Sequence, residues 1–103
     1  MKYRFRDLEI DDGAYAIRSA GRAVKIEPRV FELIVHLIRN RERMVSKVEL
    51  QEQVWRGFAV SESVIARCVC IARRQLQAAA AIRTVHGRGY QWVAPVDDMT
   101  PAE

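Results

Sequence analysis

The chain has 103 residues, of which 50% are hydrophobic and 29% charged, and its net charge is +4. That is enough apolar material for one domain with its own core, and it excludes both a disordered tail and a pair of domains. No apolar run reaches the length of a membrane span and no leader opens the chain, so a soluble, cytoplasmic protein is expected.

Residues 3–26 predict a small antiparallel sheet. Tyr3-Arg4-Phe5 and Leu8-Glu9-Ile10 alternate apolar and charged residues, as do the surroundings of Tyr15 and Ile17. Asp11-Asp12-Gly13 and Ser19-Ala20-Gly21 are turn signals, and Ala23-Val24-Lys25-Ile26 closes a hairpin. Pro28 then starts a first helix, since its missing N–H costs nothing in a first turn. Phe31, Ile34, Leu37 and Ile38 follow at helical spacing, and Arg39-Asn40-Arg41 ends it.

Ser46 and Glu49 form a capping box for a second helix, with Val45 and Leu50 as its hydrophobic staple. Leu50 and Val54 form its buried face, and Trp55-Arg56-Gly57 ends it. A third helix over residues 61–77 has Ser61 or Ser63 as N-cap. Ile65, Cys68, Val69, Ala72 and Leu76 make one stripe of that helix, and Ser63, Arg67, Cys70 and Arg74 make the opposite one. Ile82-Arg83-Thr84-Val85 and Tyr90-Gln91-Trp92-Val93 predict a final hairpin. His86-Gly87-Arg88-Gly89 supplies two glycines for its turn and puts Arg88 at the tip. The domain is expected over residues 1–94, followed by an acidic linker or tail over 95–103.

The positive charge is concentrated late in the chain. Residues 56–94 carry six arginines against Glu62 alone. Arginine's planar fork suits phosphate oxygens and guanine edges. Two helices joined by a short loop, the second with a basic outer face, make a helix-turn-helix, and the hairpin after it makes a wing. The helix offers side chains to base edges in the major groove, the wing arginine suits the minor groove, and backbone N–H groups at the Ser46 and Ser61 helix starts suit phosphates. Cys68 and Cys70 lie two apart, so on a helix their side chains point to different sides, and His36 and His86 sit in other elements, so neither a disulfide nor a metal site is expected. There is no paired-carboxylate, Ser-His-Asp or phosphate-loop pattern, and no enzyme or cofactor is expected.

Glu27-Pro28-Arg29-Val30-Phe31-Glu32-Leu33, Val45-Ser46-Lys47-Val48-Glu49-Leu50, Ala72-Arg73-Arg74-Gln75-Leu76 and Thr84-Val85-His86-Gly87-Arg88-Gly89-Tyr90 give the chain a recognisable face. From about Tyr3 to Val93 it resembles the OmpR/PhoB-type winged-helix family of bacterial regulators. The resemblance implies an α+β fold: an N-terminal four-stranded antiparallel sheet, three helices and a C-terminal hairpin wing. It also implies sequence-specific binding of double-stranded promoter DNA, often as tandem copies. Carried over by position, Ser63, Ala66, Arg67 and Cys70 face the groove. Phosphate contacts fall near Trp55, Val64, Arg73 and Arg74, and Thr84, His86 and Arg88 serve the wing. The loop Arg56, Gly57, Phe58, Ala59 and Val60 matches the segment that touches RNA polymerase in some members.

Met1 leads directly into the first strand, so the arrangement with a leading DNA-binding domain and no receiver before it, as in ToxR and CadC, is expected. Several positions depart from the family pattern. Glu27 stands where Thr or Ser is usual and predicts a poorer cap for the first helix. Ala72 replaces a common leucine, and Ala66 and Cys70 make the reading face unusually apolar. Cys70, between Arg67 and Arg74, is a candidate redox-sensitive thiol, against the plainer reading of a small residue near the groove. The alternative function is a winged-helix interaction module that has lost specific DNA binding. Trp55 and Trp92 are read as core aromatics first, with a phosphate contact by the Trp55 indole second. His36 is read as a partly exposed structural residue, and the competing role for Arg67 is an ion pair with Glu62 or Glu103.

Overall fold

The computed structural model describes residues 1–99. Four strands open the chain: β1 (Lys2–Phe5), β2 (Leu8–Asp11), β3 (Ala16–Ser19) and β4 (Arg22–Val24). All pair antiparallel in sequence order. Their registers put Tyr3, Ile10, Ile17 and Val24 in one cross-strand row, and Arg4, Glu9, Arg18 and Ala23 in the next. Side chains alternate across a sheet, so the first row faces the core and the second faces water. Tyr3, Ile10 and Ile17 are accordingly buried.

The central element is α1 (Pro28–Arg39). Pro28 occupies its first position, and Glu27 supplies no side-chain cap, as its departure from Thr or Ser predicted. Residues 30–38 are all buried except Glu32 and His36. A helix buried on so much of its circumference must be covered on more than one side. The N-terminal sheet and α3 (Glu62–Gln75) both contribute to the core it shares. The predicted stripe of α3 is the buried one: Ile65, Cys68, Val69, Ala72 and Leu76. Ile71 packs against the core beside Ala72, where a larger residue is usual.

Between them lies α2 (Lys47–Gln53). Half of its capping box forms: Ser46 Oγ accepts from the Glu49 N–H at 3.0 Å. The return arm does not, because the Glu49 carboxylate is taken by Arg43 and His36. The staple residues Val45 and Leu50 are both fully buried. At the other end α3 closes through paired turns, Ala78 N–H to Arg73 O and Gln77 N–H to Arg74 O, with Gln77 at φ 54° where glycine is usual.

A second sheet has the order β5 (Val45–Ser46), β7 (Gly89–Trp92), β6 (Ile82–Val85). The wing hairpin β6–β7 was expected; its pairing with the two residues before α2 was not. The tail reading also needs correction. Rather than forming a featureless linker from Pro95, the chain adds β8 (Asp97–Asp98) beside β1 as a fifth strand. Met99 N–H then donates to Lys2 O at 2.8 Å. Asp97 lies opposite Arg4 in that register, which places opposite charges side by side. Residues 100–103, the rest of the expected tail, lie outside the described residues. No helix among the described residues is long and apolar enough to cross a membrane.

Candidate nucleic-acid interface

The outward face of α3 begins at its cap. Ser61 Oγ accepts from Val64 N–H at 3.4 Å and meets Ser63 Oγ at 2.9 Å, which makes Ser61 the N-cap. Ser63, Ala66, Arg67, Cys70 and Arg74 are all exposed, as positions on one side of a helix whose opposite stripe is buried. Val64 is 44% exposed at the edge of that face. Arg67 and Arg74 make no ion pair or side-chain hydrogen bond among the described residues. Glu62, considered as a partner for Arg67, binds Lys47 instead at 2.8 Å. That pair ties the start of α3 to the start of α2; the other considered partner, Glu103, lies outside the described residues.

The wing turn needs one glycine for its conformation and one for its space. Arg88 N–H donates to Val85 O at 2.9 Å, closing a four-residue turn with Gly87 at φ 74°. That is the third-position requirement of a type II turn. Gly89, expected to serve the same turn, has no positive φ. It is a close-approach residue: a Cβ there would stand 2.0 Å from Val45 O. His86 and Arg88 are exposed, and Arg88 makes no side-chain hydrogen bond among the described residues.

Two of the expected phosphate-binding groups are bonded within the protein, and a third is largely buried. Trp55 is only 6% exposed and belongs to the core. No buried side-chain nitrogen or oxygen lacks a partner among the described residues, so its indole N–H, which makes no hydrogen bond, stays at the surface. Arg73 points back to β6. Its Nε and Nη2 donate to Ile82 O at 3.2 and 2.7 Å, and Nη2 donates to Thr84 Oγ1 at 2.9 Å. At the start of α2, Lys47 N–H donates to Arg88 O and Glu49 N–H to Ser46 Oγ, so that helix start is largely satisfied within the protein.

The loop after α2 is well held. Gly57 N–H donates to Gln51 O and Phe58 N–H to Trp55 O, with Arg56 and Gly57 both at positive φ. Arg56 pairs with Glu32 at 3.0 Å. The result is an outward Phe58, 67% exposed, with Ala59 exposed and Val60 half-buried. Of the two thiols, Cys68 is buried and its pKa is pushed up to about 11 by that burial, so it stays protonated at neutral pH. Cys70 is exposed.

A charge cluster fixes α2 against α1. Both Arg43 amino groups bind Glu49 at 2.9 Å, and His36 Nε2 lies 2.7 Å from Glu49 Oε2. Arg43 foremost, and then His36, hold the Glu49 carboxyl down at about 2 against the pull of partial burial, compared with its usual 4.5. A carboxylate held below its unfolded pKa stabilises the fold above that unfolded value, and the benefit is lost as pH falls toward the folded one. Glu49→Gln is therefore expected to cost about 1–2 kcal/mol at neutral pH, reduced from the full linkage value because water screens the cluster. In parallel chemical denaturation series, the gap from wild type should shrink between pH 4.5 and 2. A gap that stays constant over that range rules the ion cluster out as its source.

Comparison with known proteins places this arrangement. Residues 21–92 match the family described as "Transcriptional regulatory protein, C terminal". The Salmonella typhi transcriptional regulator HilA is 31% identical over 97% of the chain, which spans 18% of HilA. The Escherichia coli transcriptional activator CadC is 30% identical over 74% of the chain, which spans 16% of CadC. The chain thus corresponds to under a fifth of either protein. Among solved structures, the DNA-binding domain of E. coli CadC matches with a TM-score of 0.80 at 26% identity, covering 93% of this chain and 94% of that one. The DNA-binding domain of E. coli CpxR has the same fold, with a TM-score of 0.77 at 21% identity over 91% of this chain and 97% of that one. On the family match over most of its length and on the shared fold, the chain belongs to the OmpR/PhoB-type winged-helix DNA-binding domains of transcriptional regulatory proteins.

Proposed function

We propose that the chain binds double-stranded DNA sequence-specifically as the DNA-binding part of a transcription regulator, with α3 in the major groove and the β6–β7 wing in the minor groove. The observation that carries this reading is the set of three exposed guanidiniums, Arg67, Arg74 and Arg88, that have no acidic partner among the described residues. Guanidiniums left unneutralised on a helix face and an adjacent hairpin tip suit a polyanion. Ser63, Ala66 and Cys70 let the helix come close to the bases, and His86 and Thr84 flank the wing contact. The CadC domain, named as a DNA-binding domain and similar along nearly the whole chain, supports the same reading.

Selection from random double-stranded DNA at low salt is the direct test. Arg67→Ala is expected to cost about 1–3 kcal/mol on the selected site and to relax one base position. Arg88→Ala is expected to weaken all sites evenly and to lower the salt slope by about one. Recovery of no site would favour an interaction module, for which the groove lined by Val64, Trp55 and Ile71 is the available surface. Phe58, on its braced loop, is the group we assign to RNA polymerase contact, and tandem binding of two copies is the expected arrangement on DNA. A Phe58→Ala variant that keeps DNA affinity but loses transcriptional activation would support the first assignment.

A further inference from the structure

We infer that Arg73 is a positioning residue for the wing and not a contact to the DNA backbone, so that helix and wing meet DNA as one rigid unit. The inference rests on the DNA-binding reading above and assigns this arginine a different part in it. Three features carry it. First, its bonds are spent inside the protein: Nε and Nη2 converge on Ile82 O, and Nη2 also reaches Thr84 Oγ1. Bonds from an ionised donor are roughly twice as strong as neutral ones, so release toward a phosphate would be opposed. Release would also take away the donors that Ile82 O holds, and Ile82 is only 1% exposed.

Second, the wing is clamped unequally. Toward α2 the clamp is backbone: Val45 pairs with Tyr90, Ser46 with Gly89, and Lys47 N–H donates to Arg88 O. Toward the outer face of α3, the side-chain hydrogen bonds from helix to β6 among the described residues all come from Arg73. Third, Arg73 anchors at the right end of the helix. Its own carbonyl accepts from Ala78 N–H in the turn that closes α3, so the guanidinium bridges a fixed helix end to the wing strand. Its neighbour Arg74 is exposed and free of such bonds, which makes it the natural control.

Arg73→Gln, Thr84→Val and Arg74→Ala separate the two roles. In the free protein, amide exchange at residues 85–88 should quicken in Arg73→Gln, less so in Thr84→Val, and stay unchanged in Arg74→Ala. On a selected DNA site, Arg73→Gln should weaken binding roughly tenfold, the order of one charge-assisted hydrogen bond, with the salt slope unchanged. Arg74→Ala should lower that slope by about 0.9, as loss of one phosphate contact does. The Arg73→Gln loss should also vanish when Arg88 is already alanine, because its effect passes through the wing. A reduced slope in Arg73→Gln, a loss that adds to that of Arg88→Ala, or unaltered wing amides would each overturn the inference. If Arg73→Gln does not fold, Thr84→Val carries the same readouts at smaller amplitude. Failure of the wild-type protein to select any DNA would instead sink the DNA-binding reading, while the amide-exchange arm still decides whether Arg73 holds the wing.

Discussion

Replacing Gly89 with alanine is expected to cost about 3 kcal/mol or more of stability, at the upper end for overpacking. The added Cβ would stand 2.0 Å from Val45 O, 2.8 Å from Met44 Sδ and 2.9 Å from Ser46 Cα. Two of these are backbone atoms, so no change of rotamer relieves the clash. The strand β5 would have to move away from β7, giving up the Val45–Tyr90 and Ser46–Gly89 pairs. Ser46 also caps α2, so the same movement loosens the first helix of the helix-turn-helix. Gly87→Ala is the informative companion. Nothing lies within 4 Å of a Cβ there, and only the φ of 74° opposes it. Its expected cost is about 1–2 kcal/mol, the price of a left-handed residue with a side chain. Denaturant unfolding of both variants checks the ranking. A Gly89→Ala protein within about 0.5 kcal/mol of wild type (the scatter of a surface change) would show that β5 gives way cheaply.

Trp92→Ala is expected to be equally damaging, at about 3–5 kcal/mol. Trp92 ends β7 at 1% exposure and meets Phe5 of β1 edge-on, with ring centroids 5.1 Å apart. Its indole N–H donates to Ala94 O at 2.8 Å. One side chain therefore joins the base of the wing, the N-terminal sheet and the chain leading to β8. Small domains have about 5–15 kcal/mol in all, so this loss brings the protein close to unfolding at physiological temperature. Trp92→Phe keeps the ring contact with Phe5 and gives up only the indole bond and some volume. It should recover more than half of the loss in thermal unfolding. If phenylalanine is no better than alanine, the Phe5 contact is not what holds the wing base.

The parts legible in the sequence are those set by neighbours a few residues away. The helices follow from apolar spacing and from Ser46 and Ser61, whose caps are local. The wing follows from two β-rich runs around His86-Gly87-Arg88-Gly89. The parts that were not legible depend on partners far along the chain. Gly89 looks like a second turn glycine until Val45 is placed against it. Arg73 and Arg74 are identical neighbours in sequence, yet the 100° turn between successive helix positions sends one to Ile82 and leaves the other in water. Glu49 fits a capping box locally but finds Arg43 and His36 instead. The two-residue strands β5 and β8 are too short to carry any periodic signal. Trp55 is a core aromatic, as its apolar bulk suggested.

The short strand β8 has a mechanical meaning. It is joined to β1 by two residue pairs and the Met99–Lys2 bond, and both of its residues are exposed. Little apolar surface is uncovered when the two strands part, since Asp97 and Asp98 bury none of the core. Held by these bonds and the Arg41–Asp98 ion pair and not by buried side chains of its own, β8 can part from β1 while Trp92 and the buried stripe of α3 keep their packing.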